Sequence, residues 1–204
     1  QQRLLICAAK IRTDQAAMLR HQARMITQLS SRLDAHATVE ALRGCEGAAA
    51  ALYFDAYQQL FAPAWGFVER NRRPPRDPVN VLLSLTYTIV HAECVRALYA
   101  VGLDPMLGVY HQADYGRASL ACDLTEMLRS HVDRWVVQLI AKQFLLEAHF
   151  SRSEKYPCVL GKAGRAIYYE QLETQIKTWR RMLRLLAHRW AARVLQSLAT
   201  TTAS

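Results

Sequence analysis

The stretch D-P-V-N-V-L-L-S-L-T-Y-T-I-V-H-A-E, Asp77–Glu93, decides the fold class. It is the longest run of the chain that carries no charge between its two ends. Pro78 suits the first position of a helix, where the missing N–H of proline costs no hydrogen bond. The run contains Asn80 and His91, and it is too short and too polar to span a bilayer. We therefore predict a buried central helix over residues 79–100.

The segments before this helix are also predicted to be helical. Apolar residues in 1–36 recur at steps of three and four, which is typical of a helix with one buried face. A break is expected near Asp34–Thr38. A second helix is predicted from about Val39 to Leu60, because this segment contains the run Ala48–Ala51 and alanine is the strongest helix former.

The segments after the central helix continue the pattern. Ser119 is expected to be the N-cap of a helix that runs towards Ala148, with room for a kink or short break near Ser130. A last helix is predicted over 166–198, and Cys158–Leu160 is the one short strand that we expect. The predicted fold class is therefore all-α.

This pattern predicts a single helical domain with three segments. They are an N-terminal helix over 1–38, a core over 39–150, and a basic C-terminal helix over 151–204. A chain of 204 residues is long enough to bury a core without disulfide or metal staples. It starts at Gln1 without a methionine, so we expect one domain of a longer polypeptide.

The charge of the chain favours a polyanionic partner. Lysine and arginine number 26 against 17 acidic residues, which gives a formal net charge of +9. Nucleic acid and anionic lipid both fit this excess, and charge alone does not choose between them. The five cysteines include no C-x-x-C pair, which argues against a zinc knuckle and a disulfide framework. With no visible signal peptide, they fit a reducing cytosol.

The candidate site lies in G-L-D-P-M-L-G-V-Y-H-Q-A-D-Y-G-R-A-S-L-A-C-D-L-T-E, Gly102–Glu126. His111 lies in a glycine-rich turn. Asp123 and Glu126 follow at a spacing of three, which puts both carboxylates on one face of a helix. One imidazole and nearby carboxylate oxygens suit a divalent cation such as Mg²⁺ or Mn²⁺. The pattern indicates metal-assisted chemistry on phosphate.

Several ordered motifs carry a family resemblance. They are C-E-G-A-A-A-A-L-Y-F around Glu46, R-R-P-P-R-D-P-V-N-V-L-L-S-L-T-Y-T, G-L-D-P, G-V-Y-H and G-R-A-S-L-A-C-D-L-T-E. Together they resemble the CRISPR-associated adaptation integrases, the endonuclease subunits that insert new spacers into a CRISPR array. The resemblance reaches to about Gly164 and covers most of the chain. It implies a helical catalytic domain, with 39–150 as its catalytic core.

The resemblance also implies a ligand set and partners. A divalent cation, Mg²⁺ or Mn²⁺, would be held by Glu46, His111 and Glu126, with Asp123 beside them. Partners would be DNA, a second copy of the chain and a small ferredoxin-like companion subunit, in the cytoplasm of a prokaryote. Family members also carry an N-terminal β-rich domain for dimerisation, and we expect this chain to lack it. The family's common R-P pair is replaced by R-S at Arg129-Ser130.

Each of these residues also has a purely structural explanation. Glu46 is also explained as a solvated side chain of an alanine-rich helix. His111 is also explained as satisfying a backbone carbonyl in its turn. Asp123 is also explained as an acidic residue in the first turn of a helix, where it complements the helix dipole. Glu126 has Arg129 three residues away as an ion-pair partner.

The chemistry expected of the site is a transesterification. Ligands from three segments leave coordination positions for a phosphate oxygen and for an attacking 3′-hydroxyl. The 3′-hydroxyl of a short DNA would attack a phosphodiester of the CRISPR repeat, without ATP and without a covalent protein–DNA bond. With water as the nucleophile, the same site would cut DNA.

Clustered arginines are the candidate DNA contacts. Those around Pro74-Pro75 suit a clamp on DNA phosphates, Arg117 lies between the candidate site residues, and the last helix has an arginine-rich face. Solvated loops and a solvated helix face remain the alternative. Tyr110 and Tyr115 flank the histidine and suit stacking on an unpaired base or packing in the core. The candidate DNA-binding residues are Arg70, Arg72, Arg73, Arg76, Arg117, Arg180, Arg181 and Arg184.

Three other functions remain open on the sequence. One is a nuclease that acts on branched DNA. Another is an integrase of RNA-derived ends, as expected if the chain was once fused to a reverse transcriptase. The third is a non-catalytic helical DNA-binding scaffold, whose acidic residues are structural. Its DNA binding would not change when metal ions are removed by a chelator.

Overall fold

The computed structural model describes residues 2–11, 13–31, 33, 37–112, 114–152 and 156–202, and it is all-α. Its helices are α1 (Gln2–Ile11), α2 (Ala16–Ser31), α3 (Val39–Gln58), α4 (Pro78–Tyr99), α5 (Ser119–Ala141) and α6 (Lys162–Thr202). Two short strands, β1 (Phe150–Ser151) and β2 (Val159–Leu160), pair antiparallel with Phe150 opposite Leu160. The predicted fold class is confirmed, and the strand expected at Cys158–Leu160 is present as β2.

The N-terminal segment is two helices, so the prediction of one helix is wrong. α1 and α2 are separated by a 3-10 turn at Thr13–Gln15, and they pack against each other. Threonine and aspartate favour caps and turns over helix interiors, which explains a break at this point. Leu5 and Leu19 are fully buried, one from each helix. The predicted break near 34–38 falls on residues 34–36, which lie outside the described residues, and on 37–38, which are not helical.

The later helices differ from prediction at their ends. α5 is unbroken at Ser130 and stops at Ala141 instead of continuing towards Ala148. Gln143 has φ +58°, and the N–H of Phe144 bonds to the carbonyl of Leu139, as in a left-handed helix cap. α6 is longer at both ends than the predicted 166–198.

The described chain divides into two compact units. Unit 1 comprises Gln1–Leu83 and Asp133–Lys162, and unit 2 comprises Ser84–Val132 and Ala163–Ser204. The division into segments 1–38, 39–150 and 151–204 stays a prediction. Each unit has its own buried residues and its own candidate functional side chains, and each is described by itself below.

Unit 1 is organised around aromatic rings and one buried acid. Tyr57 meets Phe61 and Phe67 edge to face, with ring centroids 5.1 and 5.8 Å apart. Asp133 is fully buried; the hydroxyl of Tyr53 donates to its carboxylate over 2.7 Å, and the hydroxyl of Tyr57 donates to its carbonyl over 2.9 Å. These bonds satisfy polar groups that burial would otherwise destabilise.

Unit 2 is held by polar pairs between helices as well as by apolar packing. The hydroxyls of Thr86 on α4 and Tyr168 on α6 are 2.9 Å apart, and burial raises the pKa of Tyr168. The hydroxyl of Thr125 on α5 donates to the sulfur of Cys94 over 3.4 Å. Burial raises the pKa of the Cys94 thiol to about 12, so it is an unreactive core group at neutral pH.

α4 is the predicted central helix, and it begins at Pro78 as expected. Among the helices of the described ranges, it is the one whose length and composition would allow it to cross a membrane. The expectation that the run ending at Glu93 is too short to span concerned only part of this helix, which continues to Tyr99. Half of its most apolar stretch is buried inside the structure, which is also typical of the core helix of a soluble protein.

Candidate active site

The histidine loop, residues 102–118, joins α4 to α5 in unit 2, and all of it except Ala113 is described. Its backbone is tied to the first turn of α5. The carbonyl of Pro105 accepts the N–H groups of Leu120 and Ala121 at 2.8 and 3.3 Å, which supplies partners for two donors at the helix end. Ser119 is the first residue of α5 instead of the residue before it, and its hydroxyl donates to the carbonyl of Gln112 over 2.9 Å.

Gly108 allows this loop to lie close to the helix. A Cβ atom at this position would be 2.2 Å from the carbonyl oxygen of His111 and 2.6 Å from the Cβ of Ser119. No side chain fits there unless the backbone moves. The turn that carries His111 is therefore shaped by the absence of a side chain at Gly108.

Asp123 holds the histidine loop through both carboxylate oxygens. Its Oδ2 accepts the backbone N–H groups of Val109 at 2.7 Å and Tyr110 at 3.0 Å. Its Oδ1 accepts the backbone N–H of His111 at 3.0 Å and lies 2.5 Å from Nδ1 of the same residue. The carboxylate is buried, and three consecutive residues of the loop are fixed by it. We call this arrangement the Asp123 cradle.

The cradle fixes the charge of Asp123 and the ring nitrogen through which His111 donates. Burial by itself would raise the pKa of the Asp123 carboxyl, but the hydrogen bond from His111 and the three backbone N–H groups outweigh it and lower that pKa. The carboxylate is therefore ionised at neutral pH and only accepts. Nδ1 of His111 must then donate in this hydrogen bond, so in the neutral imidazole the lone pair is on Nε2.

Glu126 lies one turn beyond Asp123 on α5. Its Oε1 is 3.0 Å from Nη2 of Arg129, and its side chain is 31% exposed. The ion pair with Arg129 foreseen as a structural explanation is therefore present. The side chain of His111 is 19% exposed, so the site is partly open to solvent.

Glu46 lies on α3 in unit 1 and is exposed. Its helix starts where it was predicted, because the side chain of Thr38 accepts the N–H of Ala41 at 3.2 Å. Within each unit, the described residues contain no group of three or more His, Cys, Asp or Glu side chains placed to hold a metal ion. A shared cation site of Glu46, His111 and Glu126 stays a prediction.

The donor set of unit 2 fits a divalent cation in its chemistry. A histidine whose Nδ1–H is held by a carboxylate offers Nε2 to a metal, which is the usual arrangement in metalloproteins. Glu126 adds a carboxylate oxygen within one helical turn of the cradle. The four hydrogen bonds accepted by Asp123 assign it to orienting His111 more than to direct ligation.

The arginine loop, residues 66–77, precedes α4 in unit 1. It is held in shape by hydrogen bonds to the buried side-chain amide of Asn80. The Asn80 Nδ2 donates to the carbonyl of Glu69 at 2.8 Å and to the carboxylate of Asp77 at 2.6 Å. Its Oδ1 accepts from Nη1 of Arg70 at 2.7 Å and from the N–H of Asn71 at 3.0 Å. Asp77 also accepts the N–H of Asn80 at 2.8 Å, so it caps the start of α4.

The predicted DNA-binding arginines fall into two groups. Arg70 and Arg180 are tied to the protein, and Arg180 donates to the buried Glu93 through two nitrogens at 2.9 and 2.7 Å. The hydrogen bond from Arg180 lowers the pKa of Glu93, and Glu93 in turn raises the pKa of Arg180. The other six are exposed: Arg72, Arg73, Arg76, Arg117, Arg181 and Arg184.

The two tyrosines near the histidine differ. Tyr115 is fully exposed, so packing in the core is excluded for it. Tyr110 is half-buried, and its ring meets the imidazole of His111 at a centroid distance of 5.2 Å. The role of Glu93 as the partner of Arg180 was missed from the sequence, although Glu93 is the acid that ends the uncharged run.

Most of the chain is similar to known proteins. Residues 1–174 match the protein family described as CRISPR associated protein Cas1. The CRISPR-associated endonuclease Cas1 1 of Thermodesulfovibrio yellowstonii is 43% identical over 160 residues, which are 78% of this chain and 50% of that relative. The chain spans half or less of the length of the curated relatives that it matches.

Two solved structures share the fold. A casposase bound to integration product superposes with a TM-score of 0.68 at 26% identity, over 76% of this chain and 49% of that one. A Cas6-RT-Cas1–Cas2 complex superposes with a TM-score of 0.84 at 24% identity, over 96% of this chain and 23% of that one. The second likeness shows the fold alone.

Proposed function

Because this chain belongs to the family of CRISPR associated protein Cas1, we propose that it is the helical catalytic domain of a CRISPR adaptation enzyme. The proposed reaction joins the 3′-hydroxyl ends of short DNA to a CRISPR repeat. The endonuclease name of the Thermodesulfovibrio relative and the integration product bound to the casposase both support phosphodiester chemistry.

The Asp123 cradle is the single observation that carries this proposal. It is buried, it accepts four hydrogen bonds, and it fixes both the backbone and the tautomer of one histidine. A solvated acid needs none of this, and a helix cap does not orient an imidazole. A carboxylate that orients an imidazole is what a reactive or metal-binding histidine requires.

The proposed cofactor is Mg²⁺ or Mn²⁺, held by Nε2 of His111 and by the carboxylates of Glu126 and Glu46. Such a cation, when bound, neutralises charge on the phosphate and makes the attacking hydroxyl more acidic. Asp123 acts through His111 as a positioning residue.

The proposed reaction balances without an energy source. The 3′-oxygen of the incoming strand forms a bond to phosphorus while the bond from that phosphorus to the leaving 3′-oxygen of the target breaks. The proton lost by the first hydroxyl is matched by the proton gained by the second. The number of phosphodiester bonds is unchanged, which is why no ATP is needed.

DNA is the proposed partner of the exposed arginines. Arg72, Arg73 and Arg76 lie on a loop whose backbone is held by hydrogen bonds to the side chains of Asn71 and Asn80, so their positions are defined. Arg117 follows the histidine in its loop, and Arg181 and Arg184 lie on the exposed side of α6. A net charge of +9 favours binding to the phosphate backbone without reading bases.

We also propose a second copy of the chain and a small ferredoxin-like companion subunit as partners, in the cytoplasm of a prokaryote. These partners are proposed by analogy with the name of the Cas6-RT-Cas1–Cas2 complex, since the likeness to that structure shows the fold alone. The name also keeps integration of RNA-derived ends open as a variant of the same reaction. Parallel assays with DNA and RNA 3′-ends separate the two substrates.

The test is an integration assay. A short duplex with free 3′-hydroxyls is mixed with a supercoiled plasmid that carries a CRISPR repeat, in Mn²⁺. We expect His111→Ala to integrate at least ~100-fold more slowly, because loss of a ligand exceeds the roughly 10–100-fold cost of losing an outer partner. His21→Ala, an exposed histidine of α2, is the matched control and should keep parental activity. Parental activity in His111→Ala contradicts the proposal.

A second candidate function is hydrolytic cutting of branched DNA, which the endonuclease name of the relative favours. The same assay distinguishes it, because cleavage releases ends without joining the short duplex to the plasmid. A chain that binds DNA equally well with and without chelator, and that neither joins nor cuts it, would be the non-catalytic scaffold.

A further inference from the structure

We propose that the later part of α6 is a docking surface for an acidic amphipathic helix of another protein. The surface is formed by five apolar residues of unit 2, which we call the α6 stripe: Ala187, Trp190, Ala191, Val194 and Leu195. It lies beyond residue 174, where the match to the Cas1 family ends, so family membership assigns it no role. The inference goes beyond the proposed function and does not depend on it.

The first observation is that one face of α6 changes from buried to exposed along the helix. Over the first part of α6, apolar residues at steps of three and four are buried: Tyr168, Leu172, Ile176, Trp179, Leu183 and Ala187. The same steps continue through Trp190 and Val194, and through Ala191 and Leu195. Trp190 and Ala191 are partly buried, whereas Val194 is 46% and Leu195 67% exposed. A face that is packed in the core at one end of the helix therefore faces solvent at the other.

The second observation is the charge beside the stripe. Arg184, Arg189 and Arg193 are exposed and lie within one helical turn of stripe residues. No acidic residue follows Glu173 in the chain, so α6 itself has no carboxylate three or four positions from these arginines. The α6 stripe therefore combines exposed apolar side chains with charge of one sign.

These two properties together select the kind of partner. A DNA phosphate backbone would match the arginines, but it has no apolar surface to cover Val194 and Leu195. A second copy would match the apolar side chains, but it would bring arginines against arginines, and facing like charges oppose binding.

A helix with its own apolar face and flanking acids matches both properties. The small side chains of Ala187 and Ala191 lie beside the larger Trp190 and Val194, and this relief lets side chains of a second helix pack between them. The same two alanines leave little apolar area for insertion into a lipid surface.

Trp190 supplies a reporter inside the stripe. The other three of the four tryptophans of the chain, Trp65, Trp135 and Trp179, are buried. Quenching of tryptophan fluorescence by acrylamide therefore reports mainly on Trp190. The probe is a synthetic helical peptide without tryptophan, with leucines along one face and glutamates beside them. We expect it to protect Trp190 of the full chain from acrylamide, and a peptide with lysines in place of the glutamates to bind at least ~10-fold more weakly.

Substitutions on the stripe test the apolar contact. Val194→Gln combined with Leu195→Gln should weaken binding of the acidic peptide at least ~10-fold, because the peptide can no longer bury these two apolar side chains. Both positions are exposed, so the variant should fold like the parent. Leu185→Gln is the matched control and should bind like the parent. Leu185 is 57% exposed on the same helix, and its position in the helical turn faces away from the stripe.

Substitutions of the arginines test the charge. Arg189→Gln combined with Arg193→Gln should weaken binding of the acidic peptide roughly 2- to 10-fold and make it less sensitive to salt, because exposed ion pairs contribute little each and are screened. Lys162→Gln combined with Arg165→Gln removes the same charge from exposed positions at the other end of α6 and should bind like the parent.

The inference is overturned if the acidic peptide leaves Trp190 unprotected, if the lysine peptide binds equally well, or if Val194→Gln with Leu195→Gln binds like the parent. It is also overturned if the stripe has another occupant. A second copy would be seen as an oligomer in sedimentation that the same variant dissociates, and a lipid surface as anionic vesicles that displace the peptide. These results leave DNA joining untouched, so the proposed function stands or fails in its own assay.

Discussion

The histidine loop and the arginine loop are built in the same way and serve different ends. Each loop precedes a long helix. Each is held in shape by hydrogen bonds to one buried side chain near the start of that helix. Asp123 accepts the N–H groups of three consecutive loop residues, and Asn80 accepts the N–H of Asn71. The two loops differ in the side chain that holds them: a carboxylate, Asp123, in the histidine loop and an amide, Asn80, in the arginine loop.

That difference explains what each loop presents. A carboxylate only accepts and carries charge, so Asp123 fixes the tautomer of His111 as well as the shape of its loop. A side-chain amide both accepts and donates. Asn80 uses its oxygen and its nitrogen in hydrogen bonds to other residues of the protein. The arginine loop therefore has a fixed shape and no oriented reactive group, and it presents exposed guanidinium groups. Chemistry is expected from the first loop and phosphate binding from the second.

Among the changes that compare the two loops, the largest effect is expected from Asp123→Asn. The new amide nitrogen would face loop N–H groups or the imidazole N–H, so at least one contact becomes donor to donor. We expect integration to slow roughly 10–100-fold with DNA affinity unchanged, because the variant disturbs orientation and not phosphate binding. Single-turnover rates and a DNA titration measure the two separately. Glu170→Gln, an exposed acid on α6, is the control. An equal loss of DNA affinity would show that catalysis and DNA binding are not separated between the histidine loop and the arginine loop.

The next effect is expected from removing the exposed charges of the arginine loop. The triple variant Arg72→Gln, Arg73→Gln and Arg76→Gln should bind DNA more weakly and with a smaller salt dependence. The slope of log K against log salt should fall by roughly 2 to 3, since each phosphate contact contributes about 0.9.

The control for that variant removes the same charge elsewhere. Arg24→Gln, Arg43→Gln and Arg134→Gln together take three charges from exposed positions outside the loop. An equal change of slope in both triples would mean that net charge, and not the arginine loop, determines DNA binding.

A smaller effect is expected from Asn80→Ala. The variant leaves the carbonyl of Glu69 and the N–H of Asn71 without their partner, and we expect the free energy of unfolding to fall by about 1–3 kcal/mol. Urea denaturation measures it, with Gln138→Ala as an exposed amide control. A loss of turnover at saturating DNA, without a loss of stability, would show that Asn80 serves the chemistry as Asp123 does.

The smallest effect concerns Arg180, which is tied down as Arg70 is. The hydrogen bond from Arg180 lowers the pKa of Glu93 in the folded state, so the unfolded state binds more protons as pH falls. The pair should therefore stabilise the protein above the unfolded pKa of Glu93, and this stability should be lost as pH falls through the folded pKa. Denaturation midpoints between pH 6 and pH 3 should drop less in Glu93→Gln than in the parent. Parallel curves for the two proteins would contradict the assignment.

Sequence reasoning reached the periodic elements and missed the long-range contacts. The uncharged run at Pro78 and the alanine run in α3 identified helices because propensity and period agree there. The turn at Thr13–Gln15 was missed, since three residues do not interrupt the apolar period. Glu93 and Arg180 are 87 positions apart, and no local pattern pairs them.

The candidate site shows the same limit. Spacing placed Asp123 and Glu126 on one face, and the motifs placed His111 beside them. The pattern did not show that Asp123 accepts backbone N–H groups 12 to 14 positions away, because that contact depends on how the loop folds back. The close approach of Gly108 was equally invisible, since nothing local distinguishes that glycine from the others.

The central proposal is that Glu46, His111 and Glu126 hold one divalent cation, and Mn²⁺ binding to single variants tests it most directly. If the three side chains share the ion as proposed, the parent binds an ion that Glu46→Ala, His111→Ala and Glu126→Ala each lose or bind far more weakly. Mn²⁺ binding by Glu46→Ala that matches the parent, beside a loss in His111→Ala, would show that the residue from unit 1 has no part in the site and would contradict the account.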